Sequence, residues 1–508
     1  METKLKRGSG ILLHITSLPG LFGIGDLGKE AYKFVNFLKR AKQMYWQILP
    51  TGEIGEENSP YKCCSAFAGN WLMISIEQLM DAGLLSFDDL PFETDYLHKE
   101  VNYEAVKVLK YKLLMTAYKK FKELPQNTLL NKEYQAFIKE NKYWLDDYAA
   151  FKVAAKRFGT QNWSAWDSDI KKRNPDALKH LCAEYFDIYE SSKFIQFLFF
   201  KQWKALKQYA NNNGIKIIGD IPIYVDYESA DVWSSPELFD LDEDLRCKNV
   251  AGVPPDYFAK NGQIWGNPLY NWKAHKDTSF DWWNKRVQFT LKMVDYLRID
   301  HFKGFSSYYA IPARNASAAN GEYFSAPGMD LLKSFQKNIP DMPIIVEDLG
   351  NVDKDLEDLR DSFSLPGMRI LQLGFKNKNT SGYHPEFLPH NYVPNSIVYT
   401  GTHDTMTVKQ WFEDESVDSS EIENFENYIH KKCTKEDICW EMIRLLLSSV
   451  ASVAIVPLQD ILELGEEGRM NYPGTLGKSW KWRYLEKDLN LRSAKKLAEL
   501  TELYGRAQ

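Results

Sequence analysis

The feature that most constrains this sequence is a series of eight short apolar runs, each ending in glycine, proline or polar residues. Runs of this length and composition are typical of buried β-strands. Most of them are separated by segments with helical periodicity, and eight strands that alternate with helices predict a parallel (β/α)8 barrel. The runs are residues 10–15, 45–50, 215–219, 294–299, 343–346, 368–373, 396–400 and 452–457.

The spacing of the runs predicts two insertions in the barrel. About 165 residues separate the second and third runs, far more than a βα loop needs. Helical patterns at residues 103–124 and 132–158 predict a mainly helical insertion over about 52–200. A second stretch, about 226–285, is rich in Trp, Tyr, Pro and Gly, above all at 252–258 and 263–268, and predicts an ordered, loop-rich insertion over a site.

Charge and cysteine content exclude several classes of protein. Lys plus Arg number 63 and Asp plus Glu 69, a net charge of −6 without blocks of one sign, so no nucleic-acid partner is expected. The longest apolar stretch, 445–458, contains serines and Pro457 and is too short to span a membrane; it predicts a helix end followed by a buried strand. No secretion signal follows the basic start. The six cysteines form neither a disulfide framework nor a zinc motif, which favours a reducing cytoplasm. No metal or cofactor is expected.

Charged residues directly follow several of the predicted strands. Barrel active sites lie at the C-terminal ends of the strands, so these residues are the candidates for chemistry. Alternate residues of a strand share a face, so Arg298 and Asp300 are expected to point the same way. A fixed cation beside a carboxylate favours its ionised form. The candidates are Asp220, Arg298, Asp300, Glu347, His403 and Asp404.

Three of these acids fit glycosyl transfer with retention of configuration. That reaction requires two carboxyl groups roughly 5–5.5 Å apart, which Asp300 and Glu347 on neighbouring strands are able to provide. Asp404 is placed to grip sugar hydroxyls more tightly in the transition state. Each residue alone also fits a structural role, such as a helix cap, an ion pair or a buried histidine. The aromatic side chains Tyr61 and Trp265 lie among turn residues, where a core role is harder to arrange.

At these residues the sequence resembles the amylomaltases, the 4-α-glucanotransferases related to α-amylases. The resemblance rests first on Arg298-Ile299-Asp300-His301-Phe302-Lys303-Gly304, Val346-Glu347-Asp348-Leu349-Gly350 and Thr400-Gly401-Thr402-His403-Asp404. It extends through nearly the whole chain, with further matching runs at 13–20, 59–61, 65–70, 219–225, 252–257, 469–471 and 473–475.

The resemblance implies a role for each site residue. Asp300 would be the nucleophile, Glu347 the general acid/base and Asp404 the stabiliser of the transition state. Residues 1–508 would form a single catalytic domain without a separate C-terminal β-domain, since only a loop and a helix at 492–504 follow the eighth strand. The implied substrate-binding residues are Tyr61, Asp220, Trp265, Arg298, His403 and Asn471.

The reaction implied is transfer of α-1,4-glucan segments from a donor maltooligosaccharide or glucan to glucose or another glucan, through a covalent glucosyl-enzyme. Three alternatives remain at this stage. The same acids would serve a plain α-glucan hydrolase. Asp220, Glu347 and Asp404 would bind Mg²⁺ in a metal-dependent barrel enzyme. A catalytically inactive glycan-binding barrel is the third, and the fold alone decides none of them.

Overall fold

The computed structural model describes residues 5–55, 57–91, 98–255, 261–315, 317–350, 352–378, 383–475 and 477–507. Within these residues the chain forms two sheets. The strands, in chain order, are β1 (Gly8–Leu12), β2 (Tyr45–Gln47), β3 (Lys216–Pro222), β4 (Asn249–Val253), β5 (Gln263–Pro268), β6 (Tyr296–Asp300), β7 (Ser307–Pro312), β8 (Glu322–Ser325), β9 (Ile344–Val346), β10 (Gly367–Ile370), β11 (Ser396–Tyr399) and β12 (Val453–Pro457).

The larger sheet is the predicted barrel. Its eight strands are parallel and follow the order β10-β11-β12-β1-β2-β3-β6-β9, so all eight predicted strands are confirmed. Their side chains are almost all buried, because a parallel barrel is covered by helices outside and filled by side chains inside. The barrel is therefore a packed core, and a site can form only at its rim.

The helices enclose this barrel and fill the gap between β2 and β3. The predicted helices at 103–124, 132–158 and 492–504 are confirmed, and the 445–458 stretch is a helix end followed by β12. The α-helices are α1 (Lys29–Arg40), α2 (Ile76–Asp81), α3 (Tyr103–Glu123), α4 (Leu129–Phe158), α5 (Ser168–Lys171), α6 (Pro175–Glu184), α7 (Phe186–Asn212), α8 (Ala230–Ser234), α9 (Trp272–Asp277), α10 (Asp281–Met293), α11 (Gly328–Asn338), α12 (Lys354–Ser362), α13 (Val408–Glu413), α14 (Ser419–Ile429), α15 (Ile438–Ser448), α16 (Leu458–Ile461) and α17 (Leu491–Leu503).

Aromatic side chains join α3, α4 and α7, which pack together beside the barrel. The rings of Phe121 and Phe194 stack with centroids 4.3 Å apart, and Tyr134 meets both rings edge-on. Such pairs contribute about 0.5–1.5 kcal/mol each beyond the area they bury. Helix α7 ends at Asn212, and the following Gly214, whose φ of +81° suits a residue without Cβ, turns the chain towards β3.

The smaller sheet lies in and beyond the stretch expected to be loop-rich. It is antiparallel, with the order β5-β4-β7-β8. Two of its strands, β4 and β5, fall within 226–285, where the sequence predicted ordered loops only. β5 pairs with β4, and β4 pairs with β7, which follows β6 along the chain, from Asn249 opposite Pro312 to Ala251 opposite Ala310. This pairing brings residue 265 over the barrel rim. Residues 256–258 of the predicted loop lie outside the described residues.

The barrel has a seam between β9 and β10. Among the described residues, the seam carries one backbone hydrogen bond, in which Val346 N–H donates to Pro366 O at 3.0 Å. The buried Asp348 carboxylate substitutes for strand pairing, because it accepts hydrogen bonds from Met368 N–H at 2.7 Å and from Arg360 at 2.7 Å. A Cβ at Gly367 would lie 2.2 Å from an Asp348 oxygen, so this approach requires glycine.

No helix among the residues described above combines the length and apolar character needed to cross a membrane.

Candidate active site

A cleft of about 1100 Å³ opens at the C-terminal ends of the barrel strands. Its walls come from β6, β9, the segment after β11 and the small antiparallel sheet. The cleft is polar at its centre and has aromatic side chains along one side. Of the nine site residues predicted from the sequence, five line it: Trp265, Arg298, Asp300, Glu347 and Asp404.

Strand register brings Asp300 and Glu347 together. In the β6–β9 ladder Ile299 lies opposite Val346, so the next residue of each strand is one of these acids. Glu347 N–H donates to Ile299 O at 3.0 Å, and Phe302 N–H donates to Glu347 O at 3.1 Å. The two carboxyl groups therefore leave neighbouring strands at one level and enter one cleft.

Arg298 links two carboxylates beneath the cleft. Its Nη1 donates to both oxygens of Asp220, at 2.8 and 2.7 Å, and its Nη2 lies 2.8 Å from Asp300 Oδ1. The β3–β6 register explains the first contact, since Asp220 is the direct partner of Arg298. The arginine side chain is only 4% exposed, so its charge is little screened by solvent. Asp300 is thus held in place by a buried cation at the base of the cleft.

Tyr61 completes this network from the loop after β2. Its hydroxyl donates to Asp220 Oδ2 at 2.7 Å. Burial and the nearby charge of Asp220 raise the pKa of Tyr61, which keeps the phenol protonated as a donor. The Asp220 side chain has 0% exposure, so in this conformation it supports Arg298 and reaches a sugar only through it.

Glu347 has the environment of a general acid. Burial, followed by the charge of Asp300, raises its pKa to about 8. The charge of Arg298 and two backbone donors partly oppose this, since His301 N–H donates to Oε2 at 2.8 Å and Leu349 N–H to Oε1 at 3.0 Å. At neutral pH the carboxyl group is mainly protonated, and it is able to give a proton to a leaving oxygen.

His301 is a residue of the cleft that the sequence analysis did not select. Strand alternation would turn it away from Asp300, but its φ of +52° is left-handed and ends the strand at that point. Its ring lies edge-on to Trp265, with centroids 4.7 Å apart, and lines the cleft. The only sequence signal was its place in the Arg298-Ile299-Asp300-His301 run.

Asp404 lines the cleft from the segment after β11 and has two polar partners. His403 Nε2 is 3.2 Å from Asp404 Oδ2, and Asn471 Nδ2 donates to Oδ1 at 2.6 Å. Partial burial raises the pKa of Asp404, but the charge and hydrogen bond of His403 and the hydrogen bond of Asn471 lower it to about 2. The Tyr61 ring stacks on His403 with centroids 5.2 Å apart. Asp404 is therefore an ionised carboxylate that is 47% exposed to the cleft.

Trp265 projects from β5 into the cleft. Its Nε1 donates to Gln263 Oε1 at 3.1 Å, which fixes the ring. Val253, Pro254 and Tyr323 of the same small sheet also line the cleft. This sheet therefore supplies an apolar and aromatic wall facing the acids, a surface suited to the faces of sugar rings.

The metal-dependent alternative is disfavoured by the partners of Asp220. Both of its oxygens bond to Arg298, whose positive charge would repel Mg²⁺. Over the described ranges, no group of three or more His, Cys, Asp or Glu side chains is arranged to hold a metal ion.

A parallel barrel with carboxyl groups and an aromatic wall around one open cleft is typical of enzymes that process glycosides. A family model described as 4-alpha-glucanotransferase matches residues 13–488, and the chain belongs to this family. The 4-alpha-glucanotransferase of Aquifex aeolicus is 42% identical over 98% of this chain and 99% of its own length. That of Synechocystis is 44% identical over 99% and 98%.

Solved structures agree with this assignment. The amylomaltase from Streptococcus agalactiae, in complex with acarbose, matches with a TM-score of 0.93 and 39% identity, covering 99% of this chain and 100% of the other. The amylomaltase from Corynebacterium glutamicum matches with a TM-score of 0.77 at 16% identity, over 97% and 75%, and supports the fold alone.

Proposed function

We propose that this 4-α-glucanotransferase works by a retaining double displacement in which Asp300 is the nucleophile, Glu347 the general acid/base and Asp404 the stabiliser of the transition state. The observation that carries the proposal is the pairing of unlike carboxyl groups at one level of the rim. Asp300 is bonded to Arg298, whereas burial and the charge of Asp300 raise the pKa of Glu347 to about 8. This mechanism needs two neighbouring acids in unlike environments, one that attacks and one that donates a proton.

In the first step Asp300 attacks the anomeric carbon of the donor glucan. The glycosidic C–O bond breaks as the Asp300–carbon bond forms, and Glu347 gives its proton to the departing oxygen. The products are a covalent glucosyl-enzyme and a shortened glucan. Asp404, ionised and open to the cleft, would bond to sugar hydroxyls more strongly as the ring flattens.

In the second step Glu347, now a base, takes the proton of the 4-hydroxyl of an incoming glucan or of glucose. The acceptor oxygen attacks the anomeric carbon, and Asp300 departs with the electron pair of its bond. One α-1,4 bond has broken and one has formed. The donor and acceptor are therefore α-1,4-glucans, maltooligosaccharides and, as acceptor, glucose.

The remaining site residues would hold the sugar. Arg298, His403 and Asn471 surround the acids, and we assign them to the sugar at the cleavage point. Asp220 contributes there through Arg298, to which it is bonded. Tyr61 and Trp265 would line the glucan groove, and the wall that carries Trp265 would favour an acceptor over water by covering the intermediate.

Incubation with maltotriose tests the reaction. Transfer yields glucose and chains longer than maltotriose at a constant number of reducing ends, whereas a hydrolase yields only smaller sugars and adds one reducing end per event. Products restricted to maltose and glucose would contradict the proposal and favour the hydrolase. Loss of turnover in EDTA would favour the metal-dependent alternative, and an inactive protein would favour the glycan-binding barrel.

Azide distinguishes the two acids. With α-maltosyl fluoride as donor, Asp300→Ala should be rescued by azide with an inverted β-azide product, because azide replaces the nucleophile. Glu347→Ala should give the retained α-azide, because azide attacks the glycosyl-enzyme. Asp358→Ala, which removes an exposed carboxylate of α12, is the matched control and should behave as wild type. Identical products from the two variants would refute the assigned roles.

We also propose that residues 1–508 form one catalytic domain, with a helical insertion over about 52–200 and an aromatic insertion over about 226–285. A cytoplasmic location is supported by the cysteines, all six of which are free. Limited proteolysis tests the first point, since a single domain should resist cleavage between the insertions and the barrel. Cell fractionation tests the second.

A further inference from the structure

His14 is a buried polar residue that the proposed mechanism does not use. It lies two residues after the end of β1 and precedes the short turn Ile15–Ser17, and it is 5% exposed. Burial and the charge of His403 lower the pKa of His14 to about 3, so the ring is neutral. A neutral imidazole carries one donor nitrogen and one acceptor nitrogen.

One of these nitrogens lacks a partner. Among the groups that the structure describes, none bonds to His14 Nδ1, which is fully buried. A buried polar atom left unsatisfied costs about 1–3 kcal/mol. His14 thus requires a partner that is not a protein group.

A small cavity beside His14 has room for that partner. Its volume is about 20 Å³, and its polar lining comes from His14, Ser17, Thr402, His403 and Gln459. A buried water needs about 10–15 Å³ of such space and two to four polar neighbours. The cavity meets both conditions for one water molecule and is too small for a sugar.

We propose that one buried water bonds to His14 Nδ1 in this cavity and ties it to the His403 segment, making His14 a positioning residue for His403 and Asp404. His403 would be held on two sides, by this water and by the stacked ring of Tyr61 at 5.2 Å. Its Nε2 would then stay 3.2 Å from Asp404 Oδ2. The inference rests on the role proposed above for Asp404.

A crystal structure of the full chain at high resolution tests the water directly. Electron density for one ordered water within hydrogen-bond distance of His14 Nδ1 is expected. An empty cavity, or a ring flipped so that Nδ1 bonds to protein, would overturn the proposal.

Substitutions at His14 test its effect on turnover. Asn places a polar atom near the Nδ1 position, whereas Leu has similar bulk and no polar atom. His14→Leu should lower kcat about tenfold through misplacement of His403, whereas His14→Asn should stay within about threefold of wild type. His14→Gln, whose amide lies nearer the Nε2 position, should resemble His14→Leu and replaces it if the leucine variant does not fold. Equal activity of the Asn and Gln variants would contradict the inference.

A double-mutant cycle separates positioning from general stability. In an Asp404→Asn background, His14→Leu should change kcat less than about twofold, because the residue it positions is already disabled. The same loss in both backgrounds would show a merely structural effect and overturn the proposal. If Asp404→Asn keeps wild-type activity, the role of Asp404 fails; if it loses activity while His14→Leu does not, the His14 inference alone fails.

Discussion

The backbone N–H of His301 donates a 2.8 Å hydrogen bond to Oε2 of Glu347, and the left-handed φ of His301, +52°, accompanies this contact. A left-handed histidine is uncommon and persists where surrounding contacts hold it. The same residue touches Trp265 with its ring. The Glu347 carboxyl group and the aromatic wall therefore both contact His301, which directly follows Asp300.

The pKa of Glu347 leads to a prediction about pH. A general acid must be protonated, and the protonated fraction falls as pH rises through about 8. We expect a basic limb near pH 8 in kcat/KM for maltotriose, measured as release of glucose. The leaving group of α-maltosyl fluoride needs no proton. With this donor, the rate of the first step should therefore show no basic limb. A limb of equal position with both donors would argue against Glu347 as the acid.

We expect replacement of Arg298 to lower the stability of the protein. Arg298→Met leaves the buried Asp220 without its cation, which should lower the free energy of unfolding by about 3–5 kcal/mol in chemical denaturation. Arg298→Met with Asp220→Asn should recover part of that loss. The control is Arg246→Met, a change at a largely exposed pair, expected within about 0.5 kcal/mol of wild type. Equal stability of the two single variants would refute the prediction.

The hydrogen bond between Asn471 and Asp404 leads to a prediction about the acid limb of the pH profile of kcat/KM. This hydrogen bond helps to lower the pKa of Asp404, so Asn471→Leu should raise that pKa. Asp404 would then be protonated at a higher pH, and the acid limb of kcat/KM should move upward. Asn427→Leu, at an exposed position of α14, is the control and should leave the limb in place. An unmoved limb in Asn471→Leu would exclude this role.

We expect replacement of Trp265 to change how often the covalent glucosyl-enzyme reacts with water rather than with an acceptor sugar. Trp265→Ala removes the aromatic surface from the cleft and admits water, so the ratio of hydrolysis to transfer should rise. Counting reducing ends measures hydrolysis, and chain redistribution measures transfer. Trp265→Phe keeps a ring and should lie closer to wild type. An unchanged ratio in the alanine variant would count against the proposed cover.

Local sequence patterns were sufficient for the barrel but not for the small sheet. Each barrel strand is an apolar run bounded by turn residues, so a few adjacent residues are enough to predict its position. The strands β4 and β5 are short and each contains a glycine; β5 pairs with β4, and β4 pairs with β7, which lies after β6. Pairing between distant segments leaves no local periodicity, which is why the stretch resembled loops.

Some features of the site were also predictable from the sequence, and others were not. Asp300 and Glu347 were predictable because both directly follow apolar runs. The full burial of Asp220 was not predictable, because it depends on the strand register that places Asp220 opposite Arg298. His301 was missed since alternation along a strand gives no warning of a left-handed residue.

The seam between β9 and β10 limits which substitutions this part of the barrel tolerates. Asp348 bonds to Met368 N–H and to Arg360, and Gly367 leaves the space that this carboxylate fills. Replacement of Asp348 would remove the acceptor that these donors share, and a side chain at position 367 would occupy the space of the carboxylate, so a change at either position requires changes at its neighbours. Because Asp348 directly follows Glu347, a shift of the seam would also displace the Glu347 carboxyl group that lines the cleft.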